Sequence, residues 1–427
     1  MSRILIKNAN VFDGRTPEIK ENSNIVIEGN LVKEIIGGQL SEEGFDQVID
    51  AGNKVVIPGL TDAHVHLSHT NGGPRPDESA VRSVRFAKDM LLRGFTTVRD
   101  AGGVVYGLKK NIDNGYLDGP RIFPSNAYIS QTSGHGDNRE SRAAYRITDG
   151  IYSSPSLQDR GTSIADGVPE VLRAVRENLF LGASQIKIMA GGGCSSKYDP
   201  IETVQFTFEE MKAAVDAAAD FGTYVMAHLY TSKAIQRAAK AGVKSFEHTN
   251  LMDDEAGKLL STLPDIWIMP GPQFSRKRPE PDLASLPPEE RERLVKLLKK
   301  GEFVRAGEEK ATETINKYDL NIVFGTDSFG DPELVDRYQL EDFIYFKKRF
   351  GNWKALKAAT GNVHELFKLS TYQNPYPEGK IGVLEEGSFA DLLIIDGNPV
   401  EDVAVLADRN NIKLIMKDAM VYKNELV

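Results

Sequence analysis

Residues 61–67 read TDAHVHL, with His64 and His66 one residue apart behind the apolar entry VVIPGL. In an extended strand, positions i and i+2 leave by the same face. Two imidazoles would then stand side by side, close enough to share one metal ion. Five other histidines occur: His69, His135, His228, His248 and His364. His228 ends the β-leaning run TYVMAHLY, and His248 lies in SFEHTN. Asp327 follows a third such run, NIVFGTDS, where an unpaired buried carboxylate would be costly. Lys187 sits between isoleucines in SQIKIMAGGG, and an amine there is expensive to bury. Each residue has a plainer reading: an incidental histidine pair, a helix N-cap aspartate, a snorkelling or ion-paired lysine. The recurrence of histidines at the ends of separate runs favours one shared metal site.

The elements that must position these residues follow from periodicity. Eight apolar, β-leaning runs lie between about residues 55 and 360: VVIPGLTDAHVHL, TTVRDAGG, RIFPSNAYIS, SQIKIMAGGG, TYVMAHLY, SFEHTN, DIWIMPGP and NIVFGTDS. Helical-period stretches separate most of them, and ESAVRSVRFAKDMLLRG, DGVPEVLRAVRENLFLG, TFEEMKAAVDAAADFG and SKAIQRAAKAG each end in glycine, a usual helix stop. Strands alternating eight times with helices predict an α/β chain built on a closed (β/α)8 TIM barrel. The ends of its strands would face one mouth. Residues 1–57 and 379–427 instead show short alternating strands with turn pairs between them, as expected of hairpins. They predict a small β-sandwich domain built from both termini, with the barrel (58–378) inserted in it. The charged stretch 274–319 reads as a loop plus two solvated outer helices, or as a lid over the mouth.

Composition excludes several classes. The chain has 427 residues, 41% hydrophobic and 26% charged, as a globular protein with a large core has. A net charge of −9 disfavours nucleic acid and anionic membranes, which need a basic footprint. Cys194 is the single cysteine, so no internal disulfide can form. The start, MSRILIKNANVFDG, alternates apolar and polar residues, and no long apolar run follows. The expectation is a cytoplasmic protein without a membrane span.

The ordered stretches PGLTDAHVHL, IKIMAGGG, MAHLY, FEHTN and FGTDS resemble the amidohydrolase superfamily. Within it, SQTSGHGD, GGGCSSKYDPIETVQFTFEEM and AIQRAAKAGVKSFEHTNLMDDE are similar to metal-dependent dipeptidases of the Xaa-Pro and Xaa-Lys/Arg kind and to ochratoxin-type amidases. The resemblance implies two divalent metal ions, with Zn2+ the best-suited element. His64, His66 and Asp327 would bind one, His228 and His248 the other, and Lys187 would bridge them as a carboxylated lysine. It implies attack by a metal-bridging hydroxide on an amide of a dipeptide or N-acyl amino acid, with Asp327 relaying the proton. The metals would polarise the carbonyl and stabilise the developing oxyanion.

The same resemblance implies substrate contacts. His135, in GHGD, would polarise the scissile carbonyl, and Tyr230 would hold the substrate carboxylate through its hydroxyl. Leu229, where many relatives have a small residue, would narrow the pocket. The run Gly191, Gly192, Gly193 would let backbone approach a ligand, Gly192 above all, or would form only a turn. His69 and His364 read as structural. Cys194 has no histidine beside it in sequence and does not read as a nucleophile. Arg99 and Asp100 read as an ion pair at the barrel rim. The competing functions are an imidazolonepropionase or deaminase type, which does not need Lys187, and lactonase or phosphotriesterase chemistry on the same metal pair. A non-enzymatic scaffold would have lost metal ligands, and every ligand position is filled. A homo-oligomer, if formed, could use the 274–319 region.

Overall fold

A computed structural model describes residues 2–68, 76–137, 161–196, 198–271, 276, 281–330 and 332–426. His69 and residues 274, 275 and 277–280 of the charged stretch lie outside them.

The N-terminal segment supplies β1 (Arg3–Phe12), β2 (Ile19–Glu28), β3 (Leu31–Gly37), β4 (Gln47–Asp50) and β5 (Val55–Pro58). The barrel strands are β6 (Leu60–Val65), β7 (Phe95–Asp100), β8 (Arg121–Pro124), β9 (Tyr128–Ser130), β11 (Ile186–Met189), β12 (Val225–Thr231), β13 (Ser245–Leu251) and β14 (Trp267–Met269), with β10 (Thr162–Ile164) paired to β9. The C-terminal segment returns as β15 (Leu392–Ile395), β16 (Ile412–Lys417) and β17 (Met420–Asn424).

The first and last groups form one mixed sheet, in the order β17-β16-β15-β5-β1-β2-β3, with β4 also on β1. β1 carries two register shifts around Ala9, and its two halves pair with β4 and β5 in turn. The sheet therefore bends there. Ile25 and Ile27 of β2 and Leu392, Ile394, Leu414 and Met416 of β15 and β16 share one core. This is the small β-sandwich built from both termini. The chain leaves it at Gly59, where an added Cβ would lie 2.1 Å from Thr96 Oγ1, so no side chain fits at the crossing into the barrel.

In the barrel, β6-β7-β8 and β9-β11-β12-β13-β14 run parallel. Two details differ from the sequence expectation. The third run is split into β8 and β9, because the chain turns at Asn126, which has φ 55°. The eighth run is no regular strand. Residues 321–328 close the barrel through bridges Ile268–Ile322 and Val65–Ser328 and the bonds Ala63 N–Phe324 O and Asp327 N–His64 O, both 2.8 Å. The four helices read from the sequence end as expected, with left-handed glycines Gly94, Gly182, Gly222 and Gly242 past their last turns. Their apolar faces and the outer faces of the strands make the main core.

The charged stretch divides. Helix Glu308–Lys317 buries Ala311, Thr314 and Ile315 and belongs to the outer ring. Helix Pro288–Ala306 buries only Val304, which meets Tyr230 and Ile201. Among the described residues no helix is long and apolar enough to cross a membrane.

Candidate metal centre

The alternation of β6 sends His64 and His66 to one face, with ring centroids 5.3 Å apart. β11 sends Lys187 inward, its Nζ 3.3 Å from His64 Nε2. β12 sends in His228 and Tyr230, again i and i+2, with rings 4.9 Å apart. His248 cannot point inward by simple alternation, because Glu247 before it already does. The backbone resolves this by a left-handed turn, φ 78° at His248 and 54° at Thr249, and the ring arrives 5.2 Å from His64 and 4.7 Å from His228. Asp327 is also left-handed, at φ 50°. It sets Oδ1 3.5 Å from His64 Nε2 and 3.4 Å from His66 Nε2. Such conformations cost about 1–3 kcal/mol each and gather at functional sites. All six predicted ligands thus meet at the C-terminal mouth.

The outer nitrogens show how the imidazoles are held. His64 Nδ1 donates to Glu247 Oε2 at 2.7 Å, His66 Nδ1 to the Gly102 carbonyl at 2.9 Å, and His228 Nε2 to the Gly192 carbonyl at 3.2 Å. Each inner nitrogen is left with a lone pair. Those of His64 and His66 face a carboxylate oxygen. One ring nitrogen tied outward to an oxygen acceptor, with the other turned into the pocket, is the arrangement of a metal-ligand set. The ligand atoms of His64, His66 and Asp327 lie within 4.8 Å of one another, as one ion requires. The residues present therefore fit the metal that the sequence pattern implies.

Electrostatics agree. Burial drives His64 down to about 4, and His228 and His248 well below the ordinary histidine value, so all three are neutral imidazoles. Burial also lowers the Lys187 amine to about 8, against the pull of Glu247 and Asp327. The Asp327 carboxyl is held well below the ordinary carboxylate range, although burial opposes this.

His135 stacks on His228 at 4.2 Å in a partly buried position, and the loss of water around its ring drives it down to about 4. Its Nδ1 lies 2.8 Å from Ser196 Oγ, and its backbone N–H donates to Gln205 Oε1 at 2.8 Å. Tyr230 is buried beside the Cys194 thiol, and burial keeps its hydroxyl protonated. Burial also raises Cys194 to about 11, which leaves it a thiol. The glycine run has a packing reason of its own. An added Cβ at Gly192 would meet the Pro200 carbonyl at 1.9 Å, and one at Gly193 the His135 ring at 1.8 Å. Leu229 does not narrow the pocket: β12 turns it outward into the strand–helix core. His364 sits away from the mouth, on the Ile381 carbonyl at 3.2 Å.

Arg99 and Asp100 are not paired with each other. Arg99 is fully buried inside the barrel, 3.0 Å from Glu247 Oε1. Asp100 accepts the N–H groups of Leu67 and Gly102 at 2.8 and 3.1 Å, because neighbours on a strand point to opposite faces. Glu247 was the residue missed. It joins Arg99 to His64 and is held well below the usual carboxylate range by both, although burial opposes this. Asp62, also missed, takes Thr326 N–H and Oγ–H at 3.0 and 2.6 Å and so fixes the loop that carries Asp327. Both are acids inside apolar runs, the signal that singled out Asp327.

The amidohydrolase family profile matches residues 55–421. The ochratoxinase of Aspergillus niger is 32% identical over 387 residues, 86% of this chain and 76% of that protein. A crystal structure of an amidohydrolase superposes with a TM-score of 0.88 at 32% identity, covering 100% of both chains. A prolidase complexed with N-methylphosphonate-L-proline superposes with a TM-score of 0.86 at 32% identity, over 99% of this chain and 100% of that one.

Proposed function

We propose, since the chain belongs to the amidohydrolase family, that this hydrolytic enzyme uses two divalent metal ions to cleave the amide bond of a dipeptide or an N-acyl amino acid. The observation that carries this reading is the cluster of six candidate ligands, in which His64 and His66 turn lone-pair nitrogens toward Asp327 and Lys187. His64, His66 and Asp327 would hold one ion and His228 and His248 the other, with Lys187 between them as a carboxylated lysine. Its amine, lowered to about 8, is neutral in useful amount near neutral pH, and only the neutral amine adds to CO2. When bound, the ions, Zn2+ in this proposal, act as Lewis acids and bring the pKa of water down to about 7.

The protein's own groups do the rest. Asp327 takes the proton of the attacking water and passes it to the leaving amine. His135 donates to the scissile carbonyl oxygen. Tyr230, a neutral donor, binds the substrate carboxylate. Gly192 shapes the wall beside them. The likeness to ochratoxinase and to a prolidase supports amide hydrolysis.

The test is a screen of dipeptides and N-acyl amino acids with protein reconstituted in Zn2+ and bicarbonate. Turnover is expected for amides beside a free carboxylate and should fall sharply when that carboxylate is amidated. Equal turnover of the amidated substrates would remove the role given to Tyr230. Hydrolysis of esters or lactones alone would refute the amide reading.

A further inference from the structure

We propose that Lys300 is a positioning residue for His135: it supplies the Gly193 carbonyl with a donor, so that the Ser196 hydroxyl can donate to His135 Nδ1 and the ring keeps its proton on Nε2 for the substrate. This rests on the carbonyl-binding role given to His135 above.

Helix Pro288–Ala306 is 19 residues long, yet Val304 is its only buried residue. One turn earlier, Lys300 reaches across to the loop after β11. Its Nζ donates to the carbonyls of Gly193, Ser196 and Asp199 at 3.1, 2.9 and 2.6 Å. An ammonium has three N–H groups, and three carbonyls take them. The helix is thus fastened over the site at two points on one face, by Lys300 to the loop and by Val304 to Tyr230 and Ile201.

The loop so fastened is the one that holds His135. Ser196 Oγ lies 2.8 Å from His135 Nδ1 and 3.0 Å from the Gly193 carbonyl. A serine has one hydrogen, so it donates to one of the two. A neutral imidazole likewise carries one proton, on the nitrogen its partner leaves it. If the serine donates to Gly193, Nδ1 must be the imidazole's donor and Nε2 is bare. If it donates to Nδ1, Nε2 carries the proton and can bind a carbonyl oxygen. Lys300 biases the choice, because its ammonium takes one of the two lone pairs of the Gly193 carbonyl and makes that oxygen a weaker acceptor for the serine.

The variants are Lys300→Met, which keeps the stem and removes the donors, Ser196→Ala, and the two together. The first readout is the imidazole 15N spectrum of metal-loaded protein without substrate, with the His135 signals identified by their loss in His135→Asn. Wild type should show the Nε2–H form, and Lys300→Met should move toward Nδ1–H. An unchanged spectrum in Lys300→Met overturns the proposal, whatever the substrate is. The second readout is dipeptide kinetics. Each single variant should lower kcat by about tenfold to a hundredfold with little change in KM, and the double variant should be no worse than Ser196→Ala. Additive losses, or a rise in KM with kcat intact, overturn it. Should Lys300→Met fail to fold, Ser196→Ala still tests whether that hydroxyl sets the tautomer. If wild type hydrolyses no amide, the proposed function fails, while the spectrum still judges Lys300.

Discussion

The two ends of the barrel are made of opposite materials. At the C-terminal mouth, His64, His228, His248 and Lys187 are buried beside the partly buried His66 and Asp327, and His248, Thr249 and Asp327 all have positive φ. At the other end Phe123 stacks on Phe367 at 3.8 Å, with Tyr224, Met226, Trp267 and Val323 buried in the same cluster. Between them lies the fully buried Arg99–Glu247 pair, which touches His64 above and Tyr224 below. The strained, polar end is the one that can bind metal, and the apolar end offsets its cost. Changes at the mouth should therefore remove function and spare stability, and changes at the plug should do the reverse.

The sharpest way to break that contrast is Lys187→Ala. On the proposed mechanism it should lower turnover by about a thousandfold or more and cost one of two ions per chain, because there the ions supply the reactive water. Its unfolding midpoint without metal should not fall, since a buried amine is costly to keep. Metal analysis, kinetics and denaturation check this. Two ions still bound, with turnover intact, would refute the bridging role. The converse change is Phe367→Ala. It should cost about 3–5 kcal/mol, as loss of a buried, stacked aromatic does, while the folded fraction keeps both ions and its kcat. Denaturant unfolding and metal content per folded chain separate the two effects.

The sequence already showed much of the mouth, for a definite physical reason. A titratable residue inside an apolar run must be paired, ligating or neutral, so His64, His66, Lys187 and Asp327 stand out without a structure. The same reasoning extended to Asp62 and Glu247 would have found them. Their partners could not be read, since Glu247 meets His64 across a separation of 183 residues and Arg99 across 148. The inward turn of His248 was likewise hidden, because strand periodicity gives that face to Glu247 and only the φ of 78° reverses it. Lys300 looked like one solvated charge in a charged helix. Nothing in its neighbours announces three carbonyls converging on it from another loop. Arg99 and Asp100 misled for the opposite reason: adjacency in sequence suggests pairing, and a strand forbids it.

The middle layer can be tested by Glu247→Gln. The amide keeps the shape, but the carboxylate that orients His64 Nδ1–H and neutralises Arg99 is lost. Metal affinity should fall by about tenfold to a hundredfold, as for other partners of metal-bound histidines. Stability should fall as well, because the Arg99 charge is left buried and unpaired. Glu247→Gln should be the single change that harms both properties. Titration with a competing chelator and a denaturation curve measure the two. A variant with normal metal affinity would show that the pair serves the fold alone.

The smallest effect lies outside the barrel, in the sandwich. Arg15 holds Glu385 by two bonds, Nε–Oε2 at 2.7 Å and Nη2–Oε1 at 2.8 Å, and Lys380 adds a third at 2.8 Å. These bonds join a turn of the N-terminal segment to one of the C-terminal segment, which the barrel otherwise separates in sequence. Arg15 first, then Lys380, holds the Glu385 carboxyl down at about 2, against an ordinary 4.5. A carboxyl depressed in the folded state stabilises fully above its unfolded value. That contribution is lost as pH falls from about 4.5 toward about 2. Both side chains are about one-third exposed, so solvent screening limits the pair to no more than about 1 kcal/mol. Glu385→Gln should then be less stable than wild type by up to that amount at pH 6, and the two should converge near pH 2. Because both proteins carry the same mouth, the acid titration of the metal ligands cancels in the difference between them. A gap that stays constant across this range would mean that Glu385 contributes through shape, not charge, and that the two segments of the sandwich are held by their shared apolar core alone.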